Sequence, residues 1–355
     1  MKRVLMTCDA VGGVWTYTVE LARALGQHGV ETFIAAMGPA PSGAQRAELA
    51  EIPTAAFAHA PFALEWMDEP WSDVDAAGEW LLDLARNLEP DVVHLNGFAH
   101  AAIAWPAPAL IVAHSCVLTW WRAVHDSAAP DCYAEYRRRV RAGLEAAVHV
   151  ITPTRAFRSS FEDEHGMRLR GTTIHNARTP ALFFRREKEA AIFSAGRVWD
   201  EAKNIALLQR IAPRVAWPIY AAGDRRIGSA REGRLSPREV AEQLSRAAIY
   251  AAPARYEPFG LSILEAALSG CALVLSDLPT LRELWDVCAV FLPPDDDDAW
   301  CGALDDLAHD ASVREQLAAA AHERARRFTP AAQAGAYLEA YRQIGSGSPA
   351  HLLAT

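Results

Sequence analysis

Tyr256-Glu257-Pro258-Phe259-Gly260-Leu261-Ser262-Ile263-Leu264-Glu265-Ala266 is the most informative stretch of the chain. Two carboxylates stand eight positions apart, one on each side of a Pro-Phe-Gly turn. Pro258 fixes φ, and Gly260 lets the backbone approach a ligand closely. A β-prone run, Ile249–Ala252, precedes the turn, and an apolar helical pattern, Ser262–Leu268, follows it. A helix starting there presents free N–H groups and the positive end of its dipole. Glu257 lies before that end and Glu265 about one turn inside, so the two can meet different parts of one elongated ligand. Paired glutamates at this spacing are common by chance. The preceding strand and the intervening Pro-Phe-Gly-Leu make the pattern specific.

Outward from this stretch, strand and helix alternate. Ala191–Ala195, Ile219–Ala222, Leu273–Ser276 and Val290–Leu292 read as strands, and Asn204–Ile211, Val240–Ala247 and Leu281–Trp285 as helices. The N-terminal half repeats the theme. Val4–Thr7 is a strand, Val11-Gly12-Gly13-Val14 a turn, Trp15–Gln27 a helix and Val30–Ala36 a strand. Trp80–Leu88 and Tyr133–Ala147 follow as helices, with strands at Asp91–Leu95, Leu110–His114, Val148–Thr152 and Thr172–His175. Near-continuous apolar strands such as Leu110-Ile111-Val112-Ala113 suit a parallel sheet buried on both faces. Two successive arrays predict an α/β protein of two Rossmann-like domains with parallel sheets facing a central cleft. The charged run Arg185-Arg186-Glu187-Lys188-Glu189 is the candidate linker, which divides the chain into 1–183 and 184–355.

The 355 residues fit two domains at roughly 100–200 residues each. With 51% apolar and 22% charged residues, packed cores are expected and disorder is not. A formal charge of -9 excludes nucleic acid as the main partner and argues against an anionic bilayer, while a few local bases suffice for a diphosphate. A local basic patch would still allow peripheral membrane contact. The longest weakly polar run, Ala101–Ala113, carries Pro106 and Pro108 and falls short of the ~20 residues that span a bilayer. Met1-Lys2-Arg3 runs straight into Val-Leu-Met and then Asp9, so no leader peptide is expected. Cysteines at 8, 116, 132, 271, 288 and 301 show no C-x-x-C spacing, and reduced thiols in a cytoplasmic protein are expected.

The segment Tyr256–Ala266, continued by Ser269-Gly270-Cys271-Ala272-Leu273-Val274, resembles the donor-site motif of the retaining glycosyltransferases of family 4, which have the GT-B fold. The likeness runs along nearly the whole chain. Gly12-Gly13 resembles the family's N-terminal glycine loop, and Asp91-Val92-Val93-His94 its strand before the acceptor region. Ser194-Ala195-Gly196-Arg197 through Lys203-Asn204 is similar to its diphosphate motif. Phe328-Thr329 through Tyr341 is similar to the closing segment, whose helix (about 331–344 here) crosses back to the first domain. His175-Asn176-Ala177-Arg178 departs from the family's usual Asn-Gly-Val-Asp.

The resemblance implies a sugar transferred from a nucleoside diphosphate (UDP, GDP, ADP or TDP) to a hydroxyl acceptor, a small molecule or glycan, with retention and without a metal or other cofactor. The first domain would hold the acceptor and the second the donor. Glu265 then accepts hydrogen bonds from the ribose hydroxyls. Glu257 meets the transferred sugar, which the backbone of Phe259, Gly260 and Leu261 also approaches. Departure and attack take place on one face, so the carboxylates are not given glycosidase roles. A departing diphosphate needs its growing charge stabilised. Arg197 and Lys203, six apart after a strand, can both reach it, the first by bidentate contact and the second as a point charge. An ordinary solvated pair is the alternative.

His114 ends a buried strand, and strand ends in open α/β sheets face the crevice. The family has a histidine near the reacting sugar at a similar strand end; a core or capping histidine is the alternative. Gly12 and Gly13 are expected to place backbone amides for the diphosphate or the acceptor, a tight turn with no ligand being the alternative, and Asp9 nearby is an expected acceptor contact. Trp66, Trp71, Trp120 and Trp121 fall in expected loops of the first half, where their faces either stack on sugar or simply pack. The sugar reading makes Trp120 and Trp121 acceptor-binding. Asp295-Asp296-Asp297-Asp298 follows two prolines and precedes a helical run, so it reads as capping acids rather than a metal site. Asp224-Arg225-Arg226 stands where relatives carry a glycine turn and marks an unusual base pocket. The rival functions are another GT-B enzyme such as a nucleotide-sugar 2-epimerase, and a non-catalytic nucleotide-sugar-binding protein.

Overall fold

The computed structural model describes residues 2–197, 199–222 and 235–345; Asp224-Arg225-Arg226 lies outside the described residues. By their contacts the residues form two units. The first comprises Met1–Thr119, Ala128–Asn176 and the segment from Pro330 on; the second comprises Trp120–Ser127 and Ala177–Thr329.

The first unit runs β1 (Arg3–Asp9), α1 (Gly13–Gly26), β2 (Glu31–Met37), α2 (Gly43–Ala50), β3 (Ala55–Ala60), α3 (Trp71–Leu88), β4 (Val92–Leu95), β5 (Ala109–Val112), α4 (Val117–His125), α5 (Ala134–Ala146), β6 (His149–Thr152), α6 (Arg155–His165) and β7 (Gly171–Thr173). From Trp120 onward α4 clusters with the second unit. The seven strands form one parallel sheet in the order β3-β2-β1-β4-β5-β6-β7.

Side chains alternate across a strand, which decides what each face buries. Val4 and Met6 pack with Tyr17, Leu21 and Leu25 of α1. Leu5, between them, packs with Ala77, Leu81 and Ala85 of α3. With helices on both faces, the strands need to be apolar throughout.

The second unit runs β8 (Glu189–Ala195), α7 (Ile205–Ile211), β9 (Ile219–Ala222), α8 (Pro237–Arg246), β10 (Ala247–Ala252), α9 (Leu261–Leu268), β11 (Ala272–Ser276), α10 (Pro279–Trp285), β12 (Ala289–Leu292), α11 (Asp297–His309) and α12 (Ala311–Ala325). Its five strands are parallel in the order β12-β11-β10-β8-β9. Tyr250, Leu273 and Leu275 face a layer built by α8, α9, α10 and α12, while Ile249, Ala251 and Val274 face α7 and α11.

After α12 the chain enters α13 (Pro330–Gly345), whose Ala334, Tyr337, Ala340 and Tyr341 join the core of the first unit beside α1. The contact clusters change at Asn176–Ala177, ahead of the charged run at 185–189. That run is anchored rather than loose: Lys188 Nζ donates to the carbonyls of Leu244 (3.0 Å) and Ser269 (2.8 Å). All six thiols are free; five are buried and Cys132 is exposed. Among the described residues no helix is long and apolar enough to cross a membrane.

Candidate active site

In the second unit β8 and β10 are neighbours, yet the chain leaves β8 toward β9 and β10 toward β11, in opposite directions. Such a switch point leaves room for a ligand beyond the carboxyl ends of the strands. Tyr250 on β10 braces this corner. Its hydroxyl donates to Ser262 Oγ on α9 at 2.9 Å and lies 3.3 Å from the Ala195 carbonyl at the end of β8. Burial pushes its pKa above the ordinary value, so the hydroxyl stays a donor.

Lys203 and Glu257 meet at this corner, with Nζ 2.5 Å from Oε2 and side chains 24% and 13% exposed. Thr280 Oγ1 donates to the Glu257 carbonyl at 2.7 Å and fixes the backbone under the carboxylate. Gly196 lies beneath Lys203, whose Cγ would stand 3.3 Å from an added Cβ. Gly260 caps α9 with φ 85, and a Cβ there would meet Ile263 Cδ1 at 2.7 Å. Only glycine makes this turn without strain, and it brings the first-turn N–H groups of α9 up to the corner.

Arg197 does not touch Glu257. Its Nη2 donates to Asp200 Oδ2 at 2.7 Å, and its guanidinium lies 5.1 Å over the exposed ring of Trp199. Glu265, a turn into α9, is 2.8 Å from Nε of the buried Arg178. The N–H is not aimed along that line, so the Nε contact is Coulombic rather than a well-aligned hydrogen bond. Phe259 is buried against the ring of Phe328, 5.7 Å away edge-on.

Trp71, Trp120 and Trp121, expected in loops, lie in helices, Trp71 at the start of α3 and the others in α4. The stripe of Val117, Leu118, Trp121 and Val124 has helical spacing, and α4 buries Leu118 and Thr119. Trp66 is in a turn and 43% exposed. Trp120 Nε1 donates to Asp200 Oδ1 at 3.1 Å, which sets this tryptophan beside the Arg197–Asp200 pair. Trp121 donates to Ser127 Oγ at 3.3 Å.

In the first unit the corresponding corner lies between β1 and β4. Gly12, φ 101, caps α1, which begins at Gly13, and Asp9 Oδ1 accepts from the N–H of Val11 at 2.8 Å. Asn96, just past β4, ties the corner together. Its Nδ2 donates to the Thr7 carbonyl at 2.7 Å, leaving Oδ1 to face His114 Nε2 at 2.8 Å and His94 Nε2 at 3.2 Å. An amide oxygen only accepts, so both imidazoles carry their proton on Nε2. His94 Nδ1 then accepts from the Tyr341 hydroxyl of α13 at 2.6 Å. Burial pulls the pKa of both histidines down to about 3, and both are neutral at neutral pH. His114 keeps partial solvent access whereas His94 has none.

Asp200, Thr280, Tyr250, Trp199 and Asn96 were not singled out in the sequence. Only Asn96 left a local signal, an Asn-Gly pair at a strand end. The four aspartates at 295–298 are engaged with helix and arginine. Asp296 caps α11 by accepting from Ala299 N at 3.0 Å; Asp295 pairs with Arg255, Asp297 with Arg210 and Asp298 with Arg214. Among the described residues no group of three or more His, Cys, Asp or Glu side chains is placed to hold a metal ion.

Two parallel-sheet Rossmann-like units, matched end to end by glycosyltransferase structures, define the GT-B fold. Sucrose-phosphate synthase of Thermosynechococcus elongatus is 16% identical, with 98% of this chain and 100% of that one covered and a TM-score of 0.82. HepE of Anabaena, in complex with UDP and glucose, is 15% identical over 97% and 100%, with a TM-score of 0.76. A glycosyltransferase of Rickettsia africae is 13% identical over 98% and 99%, with a TM-score of 0.72. Family profiles match in both halves: Glycosyltransferase Family 4 over residues 11–181 and Glycosyl transferases group 1 over residues 189–310. The chain belongs to this glycosyltransferase family. No curated protein matches it in sequence.

Proposed function

We propose that the protein is a retaining glycosyltransferase that moves a hexose-type sugar from a nucleoside diphosphate to a hydroxyl acceptor. The observation that carries this reading is the Lys203–Glu257 pair at the switch point of the second unit, beside the N-terminus of α9. A donor entering there meets a cation and helix amides for its diphosphate and a carboxylate for its sugar. Arg197 adds a second cation within reach of the same loop. These charges stabilise the departing diphosphate, and the reading needs no metal or other cofactor. Glu265 accepts from the ribose hydroxyls, while the backbone of Phe259, Gly260 and Leu261 faces the sugar. HepE was solved with UDP-glucose, which makes uridine the first base to try.

In the first unit, Gly12 and Gly13 offer backbone amides, His114 stands by the reacting sugar, and Asp9 contributes to acceptor binding. The bond between the anomeric carbon and the diphosphate oxygen breaks as the acceptor oxygen attacks from the same face. The acceptor proton passes to the departing phosphate oxygen. Buried free thiols fit a reducing, cytoplasmic setting.

A thermal-shift screen against UDP, GDP, ADP, TDP and their sugars tests the donor. A ligand bound only by the folded state adds about 2.7 kcal/mol at a hundredfold excess over Kd. One base should stand out, and activity should survive EDTA. NMR of the product should show the donor's anomeric configuration. Inversion would overturn retention, and no shift with any nucleotide would overturn the donor reading.

A further inference from the structure

Arg178 follows closely on the change of contact cluster at Asn176–Ala177. Nothing local in the sequence explains a cation there. The structure does. Its side chain is 8% exposed, with Nε 2.8 Å from Oε1 of Glu265. The guanidinium lies 5.1 Å over the ring of Phe183. The Arg178 main-chain N–H donates to the Phe328 carbonyl at 3.3 Å, next to the second change of cluster at Thr329–Pro330. Phe328 in turn packs against Phe259 of the donor turn and against Trp285, at 5.7 and 5.8 Å.

A buried ion pair is a poor way to gain stability, because apolar groups of the same volume often do as well. What such a pair does well is hold a charged group in one place. Glu265 sits inside an apolar helix whose neighbours Ile263, Leu264, Ala266 and Ala267 are all buried.

We propose that Arg178 is a positioning residue for the nucleotide: it holds the Glu265 carboxylate where the ribose hydroxyls donate. This rests on the ribose role of Glu265 proposed above. Through its backbone the same residue fastens together the two segments by which the chain passes between units.

Titration calorimetry with UDP, GDP and ADP, each paired with its 2′-deoxy counterpart, separates positioning from mere packing. The wild type should prefer the ribonucleotide at least tenfold. In Glu265→Gln that preference should fall to within about twofold. In Arg178→Gln it should fall at least fivefold, because the carboxylate is no longer held. A merely structural arginine would weaken both nucleotides alike and leave the ratio at the wild-type value, which overturns the proposal. Should Arg178→Gln fail to fold, Arg178→Lys carries the reading. It keeps the charge but not the planar guanidinium, and should lower the preference about threefold; an unchanged ratio overturns the proposal there too. An undiminished preference in Glu265→Gln overturns the ribose role itself. Failure of all three ribonucleotides to bind overturns the ribose role of Glu265, and the role of Arg178 falls with it.

Discussion

Asp200 carries three contacts on two oxygens: Arg197 on Oδ2, and Trp120 Nε1 with the N–H of Ala202 on Oδ1. It is 6% exposed, so these partners take the place of water around the carboxylate. The loop after β8 is therefore held by a tryptophan 80 positions away in sequence. Trp120→Phe keeps the ring and removes the N–H. A hydrogen bond contributes about 1 kcal/mol, so the donor KM should rise roughly fivefold while the acceptor KM stays within twofold. Steady-state kinetics with both substrates varied will tell; a rise confined to the acceptor would place Trp120 where the sequence reading had it. The motif residues Lys203, Glu257 and Glu265 were legible as chemistry. Their fixtures Asp200, Thr280 and Arg178 were not, because a lone Asp, Thr or Arg has no periodic or motif signature.

At the scale of elements, the turn into α9 concentrates the constraint. Gly260 sits at φ 85, with Ile263 Cδ1 2.7 Å from where a Cβ would go. Gly260→Ala brings a left-handed penalty of roughly 1–2 kcal/mol plus displacement of Ile263. The second unit should lose about 1–3 kcal/mol, and calorimetry should record its Tm several degrees lower. An unchanged Tm would mean that the turn relaxes freely. The strand–helix alternation was readable because strands buried on both faces announce themselves as apolar runs. The reading also passed over several elements. In α6 only Phe157 and Phe161 of the apolar residues are buried, and its boundaries are set by a Thr154 cap and by Gly166 at φ 58. β3 is mostly alanine and is a strand because it pairs with β2. The first turns of α3, Ser72-Asp73-Val74-Asp75, hide their helix behind acids.

Over the whole molecule, the titration of histidine is distributed unevenly. His94 and His114 are held down to about 3, and His149 and His165 to about 4, in each case mainly by burial; His100 is lowered too. All five belong to the first unit. Between those values and their ordinary 6.5 the unfolded chain binds protons that the folded unit refuses. Stability from these groups is therefore full above 6.5 and is lost as pH falls toward 3–4, by up to about 1.4 kcal/mol per pH unit for each histidine. Hydrogen exchange at pH 7 and pH 5 should show β4, β5 and β6 losing protection while β8, β10 and β11 keep theirs. An acid transition that begins in the five-stranded unit would contradict this.

The sequence by itself determined two parallel α/β arrays, the glycine turns that open α1 and α9, and the carboxylates and cations of the proposed donor site. These follow from local rules: apolar periodicity, φ preference and residue spacing. Only the tertiary structure decided which of them meet. Lys203 reaches Glu257 across 54 positions because β10 lies beside β8 rather than beside β9. His94 meets Tyr341 across 247 positions because α13 joins the first unit after the whole of the second has been made. Sheet order and helix return are set by how all the apolar faces are buried together, and no single segment carries that information.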